Sequence, residues 1–453
     1  MRRLKIFDTT LRDGAKSLGL NLNIAEKMEI TRQLVRLGAD VIEAGCPACS
    51  AADLAAVQAI AGEVKGVVIC GFCGANEQEI DCCAGALRGA EQPRIHTGLT
   101  VSPLYMEKKL LNPAQVIEKA VFAVRHAKKY VGDVQFYAAD AFRGRPSFVA
   151  EIMEKVIAAG ATVINIPDTS GYATPWEYGE LISYLLDNVK NIDRAEISIH
   201  CHNDLGMATA NSLAGIKAGA GQVEGTINGI GERAGNTSLE EVIMAVYTRP
   251  AAAYGVELAV NTKEIASTCR LASGITGVPI PAHKAIVGAN AFKGAGDIDD
   301  TTPANEPYTI IKPETVGVHP GACRPLPAEE IAANNSNVSV KKISITTNGV
   351  TRATATVTLQ VEGDTITDAA CGTGPVDAVF KAVERMMGVH VLLEEFSLNS
   401  VGRGSESLGD ATVRLRCADN GLVVGRGLSP DIIEASARAY VNALVKVKIL
   451  SIS

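Results

Sequence analysis

Two histidines, His200 and His202, stand one residue apart at the end of a short apolar run. Residues 195–199, which precede them, alternate between polar and apolar types, and this pattern predicts a β-strand. Side chains two positions apart on a strand point to the same face, so both imidazoles can reach one point. Because neutral imidazole is a common ligand of first-row metals, the pair predicts a divalent-metal site. Two hydrogen-bonded polar residues at a strand end are the alternative that this short motif leaves open.

The first half of the chain contains the elements that would position such a site. Eight short apolar runs recur at roughly the spacing of strand–helix units. They are Leu4–Leu11, Ala39–Gly45, Gly66–Cys73, Arg94–Ser102, Asp133–Asp140, Thr162–Thr169, Glu196–Asn203 and Gln222–Asn228. The segments between them, for example Asn23–Gly38 and Asn112–Tyr130, place apolar residues at helical spacing. Eight such units within about 250 residues predict an α/β fold, a (β/α)8 TIM barrel with a parallel sheet.

Polar residues stand at the C-terminal ends of these strands, where TIM barrels carry their active sites. They are Arg12, Asp13, Glu43, His96, Thr169, His200, His202 and Asn236. Asp13 supplies an oxygen ligand, and Asn236 supplies another from a glycine-rich loop. Two nitrogens with one or two oxygens suit Mg²⁺, Mn²⁺ or Zn²⁺ and leave positions for a chelating substrate. The barrel therefore strengthens the metal interpretation of the histidine pair.

The sequence changes character after the barrel, which is predicted over residues 1–270. Residues 271–332 are rich in proline and indicate a small helical linker subdomain. Residues 333–453 predict a C-terminal α+β domain of alternating strands and two helices. The predicted strands are Val338–Thr347, Arg352–Glu362 and Thr412–Cys417, and the predicted helices are Val376–Gly388 and Pro430–Lys446.

Composition limits the classes of function. The chain has 453 residues, of which 47% are hydrophobic, and a net charge of −7, so neither nucleic acid nor an anionic membrane surface is an expected partner. We find neither an apolar run of about 18 residues nor a signal-peptide core. Eleven cysteines without such a signal predict reduced thiols in the cytoplasm. Two CxxC spacings, Cys46/Cys49 and Cys70/Cys73, could bind zinc, be redox active or simply be buried.

Several longer runs of the sequence resemble one enzyme family over nearly the whole chain. In the barrel they are Phe7–Gly14, Pro167–Tyr172, the His200-Cys201-His202 run and Asn228–Asn236, and in the last domain Gly374–Ala378 and Gly425–Ser429. They resemble the metal-dependent enzymes that condense an acyl-CoA with a 2-oxo acid. That family includes 2-isopropylmalate, homocitrate and citramalate synthases, and the C-terminal part is similar to the regulatory domain of isopropylmalate synthases.

The resemblance implies roles for the metal ligands and for Arg12. Asp13, His200 and His202 would bind the divalent metal, with Asn236 completing or flanking the shell, and a 2-oxo acid would chelate it. Arg12 would stabilise the negative charge that builds on the keto oxygen, an effect worth on the order of several kcal/mol.

The remaining family roles concern the pocket and the last domain. Thr169 would hold the substrate carboxylate, and Glu43 and His96 would shape the pocket. The C-terminal domain would bind an end-product amino acid, leucine in the isopropylmalate branch, and join two protomers into a homodimer.

Four departures from the family pattern concern proton transfer and pocket shape. Ala15-Lys16 replaces the usual Glu-Gln, Ala139 replaces a glutamate, and Lys293–Asp300 lacks the expected histidine. His283, just upstream, is a candidate replacement base, and Asp297, Asp299 and Asp300 are others unless they form a solvated loop. Gly98, in the fourth predicted barrel strand, is smaller than the residue that the family usually has there. Tyr137 and Phe142 are expected to narrow the substrate pocket near the fifth predicted barrel strand.

Three functions therefore stay open at this point. The first is condensation of an acyl-CoA, in particular acetyl-CoA, with a 2-oxo acid, as in leucine biosynthesis. The second is cleavage of a 2-hydroxy acid by a lyase or aldolase. The third is a non-catalytic regulatory role.

Overall fold

The computed structural model describes residues 1–16, 20, 22–292, 310–318, 338–347, 352–361, 363–401, 408–416 and 422–452. The described chain divides into two compact units. The first holds residues 1–16, 24–269, 280–292 and 310–318, and the second holds residues 20, 22–23 and 270–279 with the described residues from 338 to 452. The altered segment Lys293–Asp300, with its three aspartates, and much of the predicted linker lie outside the described residues.

Eight parallel strands of the first unit close into a barrel, as the sequence predicts. The barrel strands are Lys5–Asp8 (β2), Val41–Gly45 (β3), Val68–Gly74 (β4), Gln92–Thr100 (β5), Asp133–Ala139 (β6), Val163–Asp168 (β7), Glu196–Cys201 (β8) and Gln222–Gly225 (β9). Strand β2 pairs with both β3 and β9, and this double pairing closes the ring. Outside the barrel, the short strands Arg2–Arg3 (β1) and Val256–Glu257 (β10) pair in parallel.

Ten α-helices of the described chain precede the C-terminal sheets. They are Ile24–Leu37 (α1), Ala51–Glu63 (α2), Glu77–Ala86 (α3), Pro103–Lys108 (α4), Pro113–Ala127 (α5), Pro146–Ala159 (α6), Pro175–Asn188 (α7), Ala208–Ala218 (α8), Leu239–Thr248 (α9) and Ile265–Thr276 (α10). Local sequence fixes several starts: Asn112 and Gln115 form a reciprocal capping box at α5, and a proline occupies the first turn. On α1, Met28, Ile30 and Leu34 are buried, which is the expected result of apolar residues at helical spacing.

The C-terminal unit contains two successive strand–strand–strand–helix motifs. The first is Val338–Thr347 (β11), Ala353–Val361 (β12), Asp364–Gly372 (β13) and Pro375–Met387 (α11). The second is Leu392–Val401 (β14), Leu408–Arg416 (β15), Leu422–Ser429 (β16) and Ile432–Ile452 (α12). The predicted α+β class is confirmed, but the prediction of three strands was wrong because three more lie in this region.

The missed strands have identifiable physical features. Strand β13 is mostly exposed and polar, and β14 has a register shift between Leu393 and Glu395 that breaks its alternation. Strand β16 contains Gly425 and Gly427, which disfavour strands in general. Here a Cβ at Gly425 would stand 2.0 Å from the Ala439 carbonyl oxygen, so the glycine permits α12 to pack directly on the strand.

The two CxxC spacings behave differently. Cys46 and Cys49 are joined by a disulfide in the turn after β3, so the expectation of reduced thiols is wrong for this pair. Cys70 and Cys73 are free and buried on one strand. Three positions apart on a strand, they point to opposite faces and cannot chelate one ion together.

No helix in the described part of the chain combines the length and the apolar character needed to cross a bilayer.

Candidate active site

Three side chains of types that can ligate a metal meet at the C-terminal end of the barrel. Asp13 lies in a tight turn directly after β2, where its N–H donates to the Thr9 carbonyl oxygen at 2.9 Å. His200 lies in β8 and His202 follows that strand. All three are buried. The structure thus brings together residues from the ends of β2 and β8, two strands that flank β9 only because the barrel closes.

The separations within this cluster suit one metal ion. The two imidazole Nε2 atoms lie 3.3 Å apart, and Asp13 Oδ2 lies 3.4 Å from His200 Nε2 and 3.8 Å from His202 Nε2. Ligand atoms at about 2.1 Å from a metal stand roughly 3.0–3.4 Å from one another in octahedral or tetrahedral shells. The buried Asn236 Oδ1 accepts no hydrogen bond within the described chain, and its residue forms a backbone bridge to His202. The donor set therefore fits a divalent ion, with Asn236 as the added oxygen.

The charges at the cluster are those of a cation site. Burial would raise the pKa of Asp13, but Arg12 and the two imidazoles hold it well below its usual range. Burial would also lower the pKa of His200, but the Asp13 and Glu224 carboxylates raise it to about 9. Burial and the charge on His200 lower the pKa of His202 to about 3. The carboxylates of Asp13 and Glu224 thus favour a positive charge at this point of the site.

Glu224 on β9 is a candidate functional residue that the sequence analysis did not name. It is buried, and its Oε2 lies 3.5 Å from His200 Nδ1. This is the edge of the ring opposite the Nε2 atom, which faces Asp13 and His202. Its Oε1 accepts hydrogen bonds from Gln135 and Ser198, both at 2.6 Å. A carboxylate behind a metal-binding imidazole fixes the tautomer and orients the ring. Alternation along β9 could have found it, since Gln222 and Glu224 place polar groups on the inner face.

Arg12 is held in place by a second buried carboxylate. Its Nε donates to Glu43 Oε2 at 2.6 Å, and its Nη1 lies 3.6 Å from Asp13 Oδ1. The other oxygen of Glu43 lies 2.8 Å from His96 Nδ1. Burial would raise the pKa of Glu43, but Arg12, His96 and the Thr9 hydroxyl lower it to about 2. The structure thus brings Glu43 and His96 together with Arg12, whose guanidinium lies beside Asp13.

Thr169 and His283 differ in how closely they join this arrangement. The partly exposed Thr169 hydroxyl accepts the Asp140 N–H at 2.9 Å, so its own proton stays available to a substrate oxygen. His283 lies on an exposed loop, and its Nδ1 is 3.5 Å from Asn290 Nδ2. The neighbouring Lys284 donates to Ser238 at 2.7 Å and forms ion pairs with Glu240 and Glu241, which anchor the loop to the barrel. Among the described contacts, none links His283 to Asp13, His200 or His202.

The other positions singled out in the sequence have clear places. Lys16 is exposed, and its Nζ lies 3.3 Å from Glu232. Tyr137 points into the barrel and stacks on Phe72. Phe142 instead lies beside Tyr178 and away from that stack, with ring centroids 6.5 Å apart. The expectation that it narrows the pocket with Tyr137 has no support in these contacts.

Comparisons with known proteins agree with this architecture. Residues 3–272 match the HMGL-like family, and residues 319–448 match the LeuA allosteric (dimerisation) domain. A 2-isopropylmalate synthase of Heliobacterium modesticaldum is 43% identical, over 98% of this chain and 97% of that protein. The 2-isopropylmalate synthase of Nitratidesulfovibrio vulgaris is also 43% identical, over 98% and 96%.

The chain belongs to the 2-isopropylmalate synthase family. Among solved structures, the hydroxymethylglutaryl-CoA lyase of Bacillus subtilis gives a TM-score of 0.53 at 18% identity and covers 62% of this chain and 97% of its own. The lyase of Acinetobacter baumannii, solved with coenzyme A and 3-methylmalate, gives 0.52 at 19% identity and covers 67% of this chain and 98% of its own. At these identities the two lyases support the barrel fold alone. The full-length relatives of the family therefore carry the functional comparison.

Proposed function

We propose that this protein catalyses a divalent-metal-dependent condensation of an acyl-CoA, with acetyl-CoA as the expected donor, and a 2-oxo acid. The single observation that carries the proposal is the buried Asp13–His200–His202 cluster with Arg12 beside it. Family membership supplies the reaction type, and the geometry supplies residues suited to it. Mg²⁺, Mn²⁺ and Zn²⁺ all match the donor set of nitrogens and oxygens.

The residues of the chain divide the work of binding the acceptor. A bound divalent ion would act as a Lewis acid that polarises the keto group. Arg12, held by Glu43, donates toward the keto oxygen and stabilises the negative charge that develops there. The Thr169 hydroxyl donates to the acceptor carboxylate. Glu43 and His96 keep the guanidinium in its orientation, because both are buried and hydrogen-bonded to one another.

Removal of a proton from the acyl methyl group requires a base. Ala139 has no ionisable side chain, so the end of β6 supplies none there. We assign this role to His283, because Lys284 anchors its loop to the barrel through Ser238 and Glu241. We also propose that the C-terminal domain joins two protomers into a homodimer and binds an amino-acid effector. The whole protein would be a cytoplasmic enzyme of leucine biosynthesis.

The test of this function is release of free thiol. Protein treated with a chelator and then reloaded with Mg²⁺, Mn²⁺ or Zn²⁺ should release coenzyme A from acetyl-CoA only when a 2-oxo acid is present. Asp13→Asn should abolish metal-dependent turnover, whereas Asp193→Asn, in the short turn before β8, is the control that should not. Release of a 2-oxo acid from 2-hydroxy acids without thiol consumption would instead establish a lyase. Absence of turnover with any acid, despite bound metal, would contradict catalysis.

A further inference from the structure

Gln135 on barrel strand β6 is fully buried and hydrogen-bonded at both ends of its amide. The amide oxygen accepts from Arg94 Nη1 at 3.2 Å and from Gln222 Nε2 at 3.0 Å. The amide nitrogen lies 2.6 Å from Glu224 Oε1 and 3.0 Å from His96 Nε2. Because the oxygen has two lone pairs and the nitrogen two protons, the four neighbours use everything that the amide offers.

These neighbours leave the amide a single orientation. A guanidinium can only donate, so the atom that faces Arg94 is the oxygen. An ionised carboxylate can only accept, so the atom that faces Glu224 is the nitrogen. The remaining N–H points at His96 Nε2, which must accept it. The imidazole therefore carries its proton on Nδ1, from which it donates to Glu43 Oε1 at 2.8 Å.

Gln135 also closes a ring of contacts that includes both parts of the candidate site. Contacts of 2.6–3.6 Å join the members of this ring in the order Gln135, His96, Glu43, Arg12, Asp13, His200 and Glu224. Every other side chain of the ring is ionisable, whereas an amide keeps its donors and its acceptor whatever charges surround it. Gln135 is therefore the fixed reference for the proton positions of its neighbours.

The tautomer of His96 matters because of the carboxylate that faces its Nδ1. In the other neutral tautomer, Nδ1 would present a lone pair to Glu43 Oε1, and two acceptors at 2.8 Å repel each other. Glu43 would then leave its present position, in which Oε2 accepts from Arg12 Nε at 2.6 Å. The amide of Gln135 thus influences the guanidinium through the imidazole and the carboxylate between them.

We propose that Gln135 is a positioning residue that holds His96 in its Nδ1–H tautomer. It thereby keeps Glu43 aligned with Arg12, the residue that meets the keto oxygen of the acceptor. Glu224 anchors the amide in this orientation while its other oxygen faces the candidate metal site. The kinetic part of this proposal rests on the proposed condensation, in which the guanidinium stabilises the negative charge on the keto oxygen.

The first test uses the ¹⁵N chemical shifts of His96, which distinguish a protonated ring nitrogen from an unprotonated one. In the wild type we expect the proton on Nδ1 and a lone pair on Nε2. Gln135→Met has a similar volume but no amide, so the donor to Nε2 is lost and a proton should appear on Nε2. A wild-type His96 that is protonated on Nε2 would overturn the proposal, even if the variant failed to fold.

The second test separates catalysis from metal binding. Gln135→Met should lower kcat for thiol release from acetyl-CoA by about 10–100-fold, the typical effect of losing an outer residue that orients a group at such a site. Its affinity for Mn²⁺, measured by calorimetry, should change by less than about 10-fold, because Ser198 still donates to Glu224 at 2.6 Å. This split distinguishes a residue that acts through Arg12 from one that acts mainly on the metal ligands.

The matched control is Gln33→Met on helix α1, outside the barrel strands. Gln33 is also buried, and its amide nitrogen donates to Glu264 at 2.9 Å and to Thr268 at 3.0 Å. Gln33→Met therefore loses buried hydrogen bonds as well, but kcat and the His96 shifts should stay at their wild-type values. Equal losses of kcat in the two variants, or a wild-type kcat in Gln135→Met, would contradict the role of Gln135.

The two proposals fail in different ways. If the wild type releases no thiol with any 2-oxo acid, the proposed condensation fails. The His96 shifts still decide the role of Gln135, because they do not depend on turnover. A proton that moves to Nε2 in Gln135→Met supports that role, and unchanged shifts in the variant refute it.

Discussion

Replacement of Glu224 by glutamine should weaken metal binding although Glu224 touches no metal. In the native arrangement, Glu224 Oε2 faces His200 Nδ1 at 3.5 Å while Oε1 accepts from Gln135 and Ser198. A glutamine that keeps the two Oε1 contacts must turn its amide N–H groups toward His200 Nδ1. The imidazole would then accept at Nδ1 and carry its proton on Nε2, which is the atom directed at the metal cluster. Glu224→Gln therefore stabilises the tautomer that cannot bind metal there.

The magnitude follows from the type of contact. Loss of a carboxylate that orients a metal-binding histidine typically costs about 10–100-fold in affinity, or roughly 1.4–2.8 kcal/mol. We expect the upper half of that range, because Glu224→Gln both removes a buried charge and reverses the tautomer. Calorimetric titration of Mn²⁺ or Zn²⁺ into chelator-treated protein measures the affinity. The ¹⁵N chemical shifts of His200 report the tautomer separately.

The matched control is Glu196→Gln at the opposite end of strand β8. Glu196 carries the same charge, but it pairs with Lys5 at 2.5 Å and is partly exposed. Its replacement should leave metal affinity within about 2-fold, since surface ion pairs contribute at most about 1 kcal/mol and this one is remote from the cluster. If Glu224→Gln and Glu196→Gln bind metal equally well, or if His200 keeps its tautomer, our account of Glu224 is wrong.

Three further perturbations test other parts of the account. Arg12→Lys keeps the positive charge but loses the planar guanidinium that contacts Glu43 and Asp13. We therefore expect kcat to fall at least about 10²-fold while metal affinity changes little. An unaltered kcat would show that the guanidinium is not at the reacting oxygen. His283→Asn should lower kcat by about 10²–10⁴-fold and remove one limb of the pH–rate profile, whereas an unchanged profile would assign the base elsewhere. Burial raises the pKa of Asp8 from 3.8 to about 7 despite its hydrogen bonds from Thr10, so native Asp8 stays protonated where the unfolded chain ionises. As pH rises from about 4 to 7, the free energy of unfolding of the protein should fall relative to that of Asp8→Asn by on the order of 4 kcal/mol. Urea unfolding at several pH values measures this difference, and parallel pH dependence of the two proteins would rule it out.

The barrel, and the histidines that meet Asp13 in the candidate metal site, were predictable because their signals are local. Each barrel strand is a short apolar run between helical patterns, and His200 and His202 mark a strand end by themselves. Asp13 and Asn236 followed once the closed ring was assumed, since only closure makes distant strand ends neighbours. The same reasoning located Glu43 and His96 but could not supply their hydrogen bond to one another.

The remaining features depend on packing that no single segment contains. Glu224 lies behind His200 on a different strand, so its role exists only in the folded arrangement. Likewise, the Tyr137 ring lies against the Gly98 backbone only because β5 and β6 pair in a register that sets these two residues side by side. In the C-terminal unit, Gly425 reads as a strand breaker, yet the structure uses it to bring a helix onto the sheet. Exposed or irregular strands such as β13 and β14 lack the alternation on which a sequence prediction depends.

The pairing of β2 with β9 has a consequence for how the molecule is made. The aspartate at the metal cluster is synthesised early, whereas its histidine partners and the strand that seals the ring emerge much later. A nascent chain therefore has no place to hold the ion until the last barrel strand has left the ribosome, and joining such distant segments is entropically slow. A bound ion would link the first and last parts of the barrel and stabilise the closed barrel, since a ligand that binds only the folded state stabilises that state. Supplying metal during refolding should therefore raise the yield of closed barrels rather than hasten the first steps of collapse.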